Sequence, residues 1–201
     1  MLLLAHTNIF AQDDIPDYRS KREGFLKILD TKLRADMATF SIGGISESLN
    51  ALKLPEIPIY YSDDKSISFL KDSLQISITT TAFDSIGHKF LYYDEKYLVK
   101  IDNKGFWGSG TKKPTKKIES VTAIIGNDTI RIPALAFTEL YEPVLSYEEK
   151  GKLKSYCRVY HSLDKQYLYI YMLNGEGKNR YEVTWIIQNK QYLRRVVDLG
   201  Y

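Results

Sequence analysis

Apolar and polar positions alternate with a period of two along much of this chain. Leu74, Ile76 and Ile78 alternate with Gln75, Ser77 and Thr79, the pattern of a strand buried on one face. Residues 154–198 read as three strands in series. Tyr156, Arg158 and Tyr160 alternate with Cys157 and Val159, and Tyr167, Tyr169 and Tyr171 alternate with Leu168, Ile170 and Met172. Each strand thus has a tyrosine face and an aliphatic face, and the aliphatic face is the expected core. The last hairpin, turning at Asn189-Lys190, is apolar on parts of both faces. The pairs expected there are Ile187 with Tyr192, Trp185 with Arg194 and Val183 with Val196. Both faces are therefore expected to be partly covered, one of them by an N-terminal helix. If Tyr167, Tyr169 and Tyr171 lie under that helix, this stretch is scaffold and the search for function moves to the loops around Trp107 and Gly175.

The helix is the one clear departure from strand periodicity. Ser20-Lys21-Arg22-Glu23 has the S-x-x-E form of a capping box. Leu26, Leu29, Leu33, Met37 and Phe40 follow at three- and four-residue spacing, which predicts one apolar face. Charges of both signs mix along the other face, which suits a helix packed on a sheet better than one lying on a membrane. Gly43-Gly44 is expected to end it, and Gly24 to weaken its first turn.

Turn residues divide the middle of the chain. A short strand is expected at 57–61 after Pro55. Asp94-Glu95 is read as a two-residue hairpin turn that sets Tyr92 against Tyr97, Phe90 against Val99 and Leu91 against Leu98. Asn127-Asp128 is read as a second such turn, setting Ile125 against Ile130 and Ala123 against Ile132. Pro133 opens a short helix over 134–141, and 148–152 is a polar linker. Turn signals recur about every 8–15 residues, as in antiparallel sandwiches and barrels. The predicted fold is mainly β, an antiparallel β-sandwich or strongly bent sheet with one N-terminal amphipathic helix; an α+β arrangement is the alternative.

Composition refines this picture in three places. The chain has 201 residues, enough for a single mainly-β domain over 12–201. Its 28 basic and 25 acidic side chains give a charge of only +3, too little to point to nucleic acid. The 16 tyrosines against 8 phenylalanines suit half-buried strand positions and binding surfaces alike. No apolar run approaches the roughly 18 residues of a membrane span. Residues 1–11 read as the remnant of a secretory signal, with an apolar run and then Ile9-Phe10-Ala11 before polar Gln12 and Asp13. A periplasmic or secreted location follows as an expectation.

Candidate chemistry is sparse. Gly105-Phe106-Trp107-Gly108-Ser109-Gly110-Thr111-Lys112 looks like a phosphate loop, but Thr precedes Lys and Pro114 opposes the helix that should follow. The three Ser-x-x-Lys pairs (Ser62/Lys65, Ser68/Lys71 and Ser109/Lys112) lack any accompanying Lys-Thr-Gly. Cys157 and His161 share a strand face but stand roughly 13 Å apart, too far for a thiolate–imidazole contact. Cys157 is better read as a small core residue. No metal-ligand spacing is present, and Asp13, Asp14 and Asp17 lack a calcium-loop pattern. No catalytic residue, metal or cofactor is predicted.

A resemblance runs through the second half. The Gly105–Gly110 segment, the end of the strand at Ile130–Pro133, Leu140-Tyr141-Glu142-Pro143, the 181–187 strand and the 192–198 strand together resemble a group of uncharacterised secreted β-rich proteins of Bacteroidetes. The resemblance covers roughly residues 87–201. The relatives continue the Trp-Gly segment with Thr-Asp-Gly and carry a Gly-rich loop before the Tyr-x-Val-x-Trp strand. Here Ser109-Gly110-Thr111 and Gly175-Glu176-Gly177-Lys178-Asn179 stand in those places. The group implies secretion and no particular activity.

Three functions remain. The first is a secreted or periplasmic non-catalytic binding protein that holds a glycan or protein ligand on exposed aromatics, with Phe106, Trp107, Gly175 and Glu176 as the ligand-binding residues. The second is a hydrolase, which requires a deep pocket holding His88 or His161 with two carboxylates. The third is an inhibitor or immunity-type protein, which requires a flat apolar patch.

Overall fold

The computed structural model describes residues 23–48, 52–108, 110–174 and 180–199. The presumed signal remnant, the Ser20–Arg22 part of the capping box, Asp13, Asp14, Asp17, Gly175 and Glu176 lie outside them. In chain order the elements are helices α1 (Glu23–Leu26) and α2 (Thr31–Ala38), then strands β1 (Glu56–Ile57), β2 (Ile59–Ser62), β3 (Ser66–Lys71), β4 (Leu74–Ala82), β5 (Phe90–Tyr93), β6 (Tyr97–Ile101), β7 (Lys116–Ile125), β8 (Asp128–Arg131), β9 (Tyr147–Glu149), β10 (Lys152–Lys154), β11 (Cys157–His161), β12 (Tyr167–Asn174), β13 (Tyr181–Gln188) and β14 (Gln191–Leu199).

The strands form an antiparallel β-sandwich. The first sheet has the order β1-β11-β12-β13-β14 and the second β2-β3-β4-β7-β8, while β5-β6 and β9-β10 are separate hairpins. The chain changes sheets at Pro58, between β1 and β2. This residue lacks a donor, and its carbonyl accepts from Leu70 N at 3.2 Å. One core fills the space between the sheets. The second sheet contributes Ile67, Phe69, Ile76, Ile78, Val121 and Ala123, and the first contributes Cys157, Val159, Leu168, Ile170, Met172, Val183 and Trp185, all 1% exposed or less apart from Leu168 at 2%. The alternations at 74–79 and 167–172 therefore bury the faces their sequence predicts.

The outer face of the first sheet is covered as well. Phe25, Ile28, Leu33, Met37 and Ala38 pack on Tyr167, Tyr169, Ile186 and Val196. The tyrosine face is thus scaffold. Tyr169 is fully buried and its hydroxyl donates to Asp36 Oδ2 at 2.7 Å. The outer face of the second sheet instead presents the half-buried hydroxyl residues Ser66, Ser68, Ser77, Thr79, Ser120 and Thr122.

The expected single helix is two. Asp30 interrupts it, because its carboxylate caps α2 by accepting from Lys32 N and Leu33 N at 2.9 and 3.0 Å. The apolar face shifts accordingly. Leu26 and Leu29 are 52% and 92% exposed, and Phe25 and Ile28 are buried in their place. The shift follows from how α1 docks. Gly24 N and Phe25 N donate to the buried Asp198 carboxylate at 3.0 and 2.6 Å. Gly24 lies so close to β14 that a Cβ would stand 2.3 Å from Val197 O. Its role is that close approach. α2 ends at Ala38, before Gly43-Gly44. Gly44 packs against Phe25 and Ala38, where a Cβ would meet Ala38 Cα at 2.6 Å.

Turn chemistry moves two registers, and a bulge moves a third. In β5-β6 the pairs are Tyr93 with Tyr97 and Tyr92 with Leu98, and a further shift gives Leu91 with Lys100 and Phe90 with Ile101. Lys96 therefore joins Asp94 and Glu95 in a three-residue loop, instead of the two-residue turn expected. In β7-β8 the turn is Gly126-Asn127, with Gly126 at φ +64, so Ile125 pairs with Asp128 and Ala123 with Ile130. A glycine in the first central position suits this turn type better than Asn127-Asp128 does. The β13-β14 turn is at Asn189-Lys190 as predicted and pairs Ile187 with Tyr192. A bulge then sets Ile186 against Arg194, Trp185 against Arg195 and Thr184 against Val196. The predicted helix over 134–141 is one 3₁₀ turn, Ala134–Ala136, and the predicted linker at 148–152 is part of the β9-β10 hairpin.

Candidate functional site

A cleft of about 540 Å3 opens beside the sandwich, where the β5-β6 hairpin meets the end of β4, the start of β7 and the 3₁₀ turn. Its floor is aromatic. Tyr141 packs edge-on to Phe83 at 5.0 Å and to Phe106 at 6.0 Å between ring centroids, and Phe137 completes the lining. Phe83, Phe106 and Tyr141 form a small core of their own with Leu98 and Ile101 from β6, while Phe137 belongs to the core between the sheets. Burial raises the Tyr141 hydroxyl above its usual range.

The wall is polar. Lys104, Lys117, Glu119 and Glu139 line it beside His88 and Asp102. His88 precedes β5 and Asp102 follows β6, so antiparallel pairing of the hairpin brings them together although they are 14 residues apart. Asp102 accepts from Lys89 N at 2.8 Å through one oxygen, and its other oxygen lies 2.6 Å from His88 Nδ1. The Lys89 N–H, and then His88, hold the Asp102 carboxyl below the usual carboxylate range. An ionised carboxylate can only accept, so the His88 Nδ1–H donates and Nε2 is the ring's other polar atom. The His88 ring also packs on Phe83, with centroids 4.7 Å apart. Glu139 accepts from Arg195 Nη2 at 3.0 Å, and Arg195 is only 2% exposed. One cleft carboxylate is thereby tied to the first sheet.

The four residues expected to bind a ligand part company. Phe106 does line the cleft, but it is 4% exposed. The expectation of an exposed platform is corrected, because Phe106 is needed to pack on Tyr141. Trp107 is half-buried and turns to the other side, packing on the inter-sheet core and on Tyr181 at 6.2 Å. Its backbone bonds with Glu139 O at 2.8 Å and Tyr141 N at 3.0 Å hold the cleft floor against the segment 105–108. Gly108 belongs to that contact. At φ +99, a Cβ there would stand 2.0 Å from Tyr141 O. Gly175 and Glu176 are not described. Cys157 is fully buried in the core, where burial pushes its thiol up to about 12. His161, at the other end of β11, lies outside the cleft lining.

No family model, curated protein or solved structure matches this chain. The site must therefore be read from its own chemistry. Among the described residues no group of three or more His, Cys, Asp or Glu is placed to hold a metal ion. No described helix is long and apolar enough to cross a membrane.

Sequence reasoning named His88 only as a candidate for a hydrolytic pocket, and it passed over Asp102. Asp102 reads as a turn residue, and at φ +52 it is one. The usable signal was the hairpin itself, since residues just outside its two open ends must be neighbours.

Proposed function

We propose that this chain is a secreted or periplasmic binding protein, without catalysis, that holds a glycan in the cleft between the β5-β6 hairpin and the sandwich. The observation that carries this reading is a concave cleft with largely buried aromatic rings at its floor and polar side chains on its wall. Sugar rings present apolar C–H faces that pack on aromatics and hydroxyls that pair with carboxylate, imidazole and ammonium groups. The cleft volume lies in the range of small-ligand sites, about 300–1,000 Å3. A concave site favours this ligand over a protein partner, which a flat patch would suit better. Secretion is supported by the apolar run before Ile9-Phe10-Ala11 and by the resemblance to secreted proteins of Bacteroidetes.

Thr138 is exposed and lines the cleft, so a large side chain there fills the site without entering the core. Thr138→Trp is expected to keep the thermal melting point of the parent and to lose glycan binding by about tenfold or more on an array and by calorimetry. Binding that survives this substitution unchanged would remove the cleft as the site.

A second reading rests on the His88–Asp102 pair, which sits in a cleft with Glu119 and Glu139. A hydrolase could use His88 Nε2 to take a proton from water while Asp102 fixes the ring. The expected result is that the wild-type protein releases no reducing ends from an oligosaccharide panel. Turnover that collapses in His88→Ala would establish the hydrolase instead.

A further inference from the structure

We propose that the ligand of the cleft is an acidic glycan, bearing uronate carboxylates or sulfate esters, and that lysines of the segment 87–117 select it. This rests on the glycan reading above and names the ligand class.

The charge of the chain is segregated. Residues 87–117 hold eight lysines and three acids, 8 − 3 = +5. The other residues hold 20 basic and 22 acidic groups, 20 − 22 = −2. The whole positive excess therefore lies in the hairpin and the loop after it. That same segment supplies His88, Asp102, Lys104, Phe106 and Lys117 to the cleft.

Two of these lysines, Lys104 and Lys117, line the cleft itself, and the others stand on the hairpin, the loop and the start of β7 that border it. Gly110 O accepts from Leu98 N at 2.9 Å, which lays the basic loop along β6. Lys113 Nζ then stands 4.6 Å from the Phe90 ring centroid, and Lys117 Nζ 5.9 Å from that of Phe83. Lys89, Lys100, Lys104, Lys112 and Lys113 are exposed. Of the three acids of the segment, only Asp102 lines the cleft. Asp94 and Glu95 occupy the closed end of the hairpin, about 13 Å of strand away from the cleft end. Asp102 is occupied by His88 and the Lys89 N–H. Of the other lining carboxylates, Glu139 is paired with Arg195, which leaves Glu119 against Lys104 and Lys117. Long lysine stems on exposed positions suit a chain of repeated carboxylate or sulfate groups, because each ammonium carries rotatable donors and can follow the ligand.

The test is calorimetry on the full chain with oligogalacturonate, a heparin oligosaccharide and a neutral cello-oligosaccharide. Phosphatidylglycerol vesicles and a single-stranded oligonucleotide serve as polyanions of other classes. The expected result is binding of one or both acidic glycans, with oligogalacturonate and heparin separating carboxylate from sulfate recognition. Affinity should weaken by about tenfold or more between roughly 0.05 and 0.5 M salt, as screening requires. It should fall by about tenfold or more in the quadruple variant Lys100→Gln, Lys104→Gln, Lys112→Gln, Lys113→Gln, whose sites are all exposed and whose melting point should match the parent. Thr138→Trp should abolish it. Neutral glycan bound as tightly as acidic, and blocked by Thr138→Trp, would overturn acidic selectivity and leave the cleft reading standing. Acidic binding unchanged in the quadruple variant, or vesicles or oligonucleotide bound as tightly, would overturn it too. No glycan bound at all would overturn both readings.

Discussion

Glu182→Ala should free the N-terminal arm from the first sheet and cost about 3 kcal/mol or more. Glu182 is 3% exposed, on β13. Its carboxylate accepts from Ile42 N at 2.7 Å, Gly43 N at 2.6 Å and the Tyr171 hydroxyl at 2.9 Å. Directly across the ladder, Asp198 on β14 holds Gly24 N and Phe25 N. Two neighbouring buried acids thus clamp both ends of the arm. Alanine at 182 leaves the buried Tyr171 hydroxyl and two half-buried N–H groups, of Ile42 and Gly43, without their acceptor. The arm covers Tyr167 and Tyr169, so release should expose an aromatic face. The expected observations are a lower urea midpoint, faster proteolysis within residues 23–48, and dye binding before the sheets unfold. A variant as stable and protease-resistant as the parent would show that the clamp contributes nothing.

The same acids set a pH dependence with a definite sign. Burial raises both carboxyls above their ordinary values of 4.5 for Glu182 and 3.8 for Asp198, against the opposing effect of the donors. The folded state therefore binds these protons more readily than the unfolded chain. Their contribution is present below the ordinary values and is lost as pH rises through the folded ones. Asp63 and Asp164 run the other way. Asp63 is held at about 2 by the Lys65 N–H, the Tyr61 hydroxyl and the Ser66 N–H. Asp164 is held at about 2 by Lys32, Ser162 and Gln166 N. Comparison with Glu182→Gln isolates the clamp acids, because the groups remote from them cancel. The stability lost in Glu182→Gln should shrink as pH rises from about 5 to about 8. A difference that grows over this range would mean the carboxyl is lowered in the fold instead.

Trp185→Ala should cost about 3–5 kcal/mol through the cavity it leaves. Trp185 is fully buried between the sheets, and its Nε1 donates to Ala136 O at 2.9 Å. Ala136 belongs to the 3₁₀ turn beneath the cleft, so this tryptophan joins core to site. Trp185→Phe separates the two roles. It keeps most of the volume, loses the donor, and should cost about 1–2 kcal/mol. Ligand affinity should fall in Trp185→Phe, because the turn carrying Phe137 and Thr138 loses its anchor. Urea unfolding and calorimetry on the pair measure both effects, and unchanged affinity would uncouple core from cleft.

The amino-acid sequence by itself determined the class of this fold and most of its strands. The alternations at 74–78 and 167–172 and the turn at Asn189-Lys190 are local patterns, and a strand's two faces follow from them directly. It also determined the inert core role of Cys157. The tertiary structure decided the rest, for stated reasons. Whether the tyrosine face was open or covered depended on where the arm lands, and that is fixed by Glu182 and Asp198, more than 130 residues away in sequence. The bulge in β14 moved Trp185 from Arg194 to Arg195, a one-residue step that alternation tolerates because both faces of that hairpin are apolar in part. Asp30 split the helix because a cap competes with helix continuation, while Leu29 looked equally good on a helical wheel. The cleft was legible only in fragments. Phe106 was found from its glycine-rich setting. His88 and Asp102 needed the hairpin closed, and Glu139 and Tyr141 needed the segment 105–108 laid beside them. Pattern reports which face of an element is apolar. Only packing reports what lies on that face, and a site made from loop ends exists only once the sheets have fixed where those ends meet.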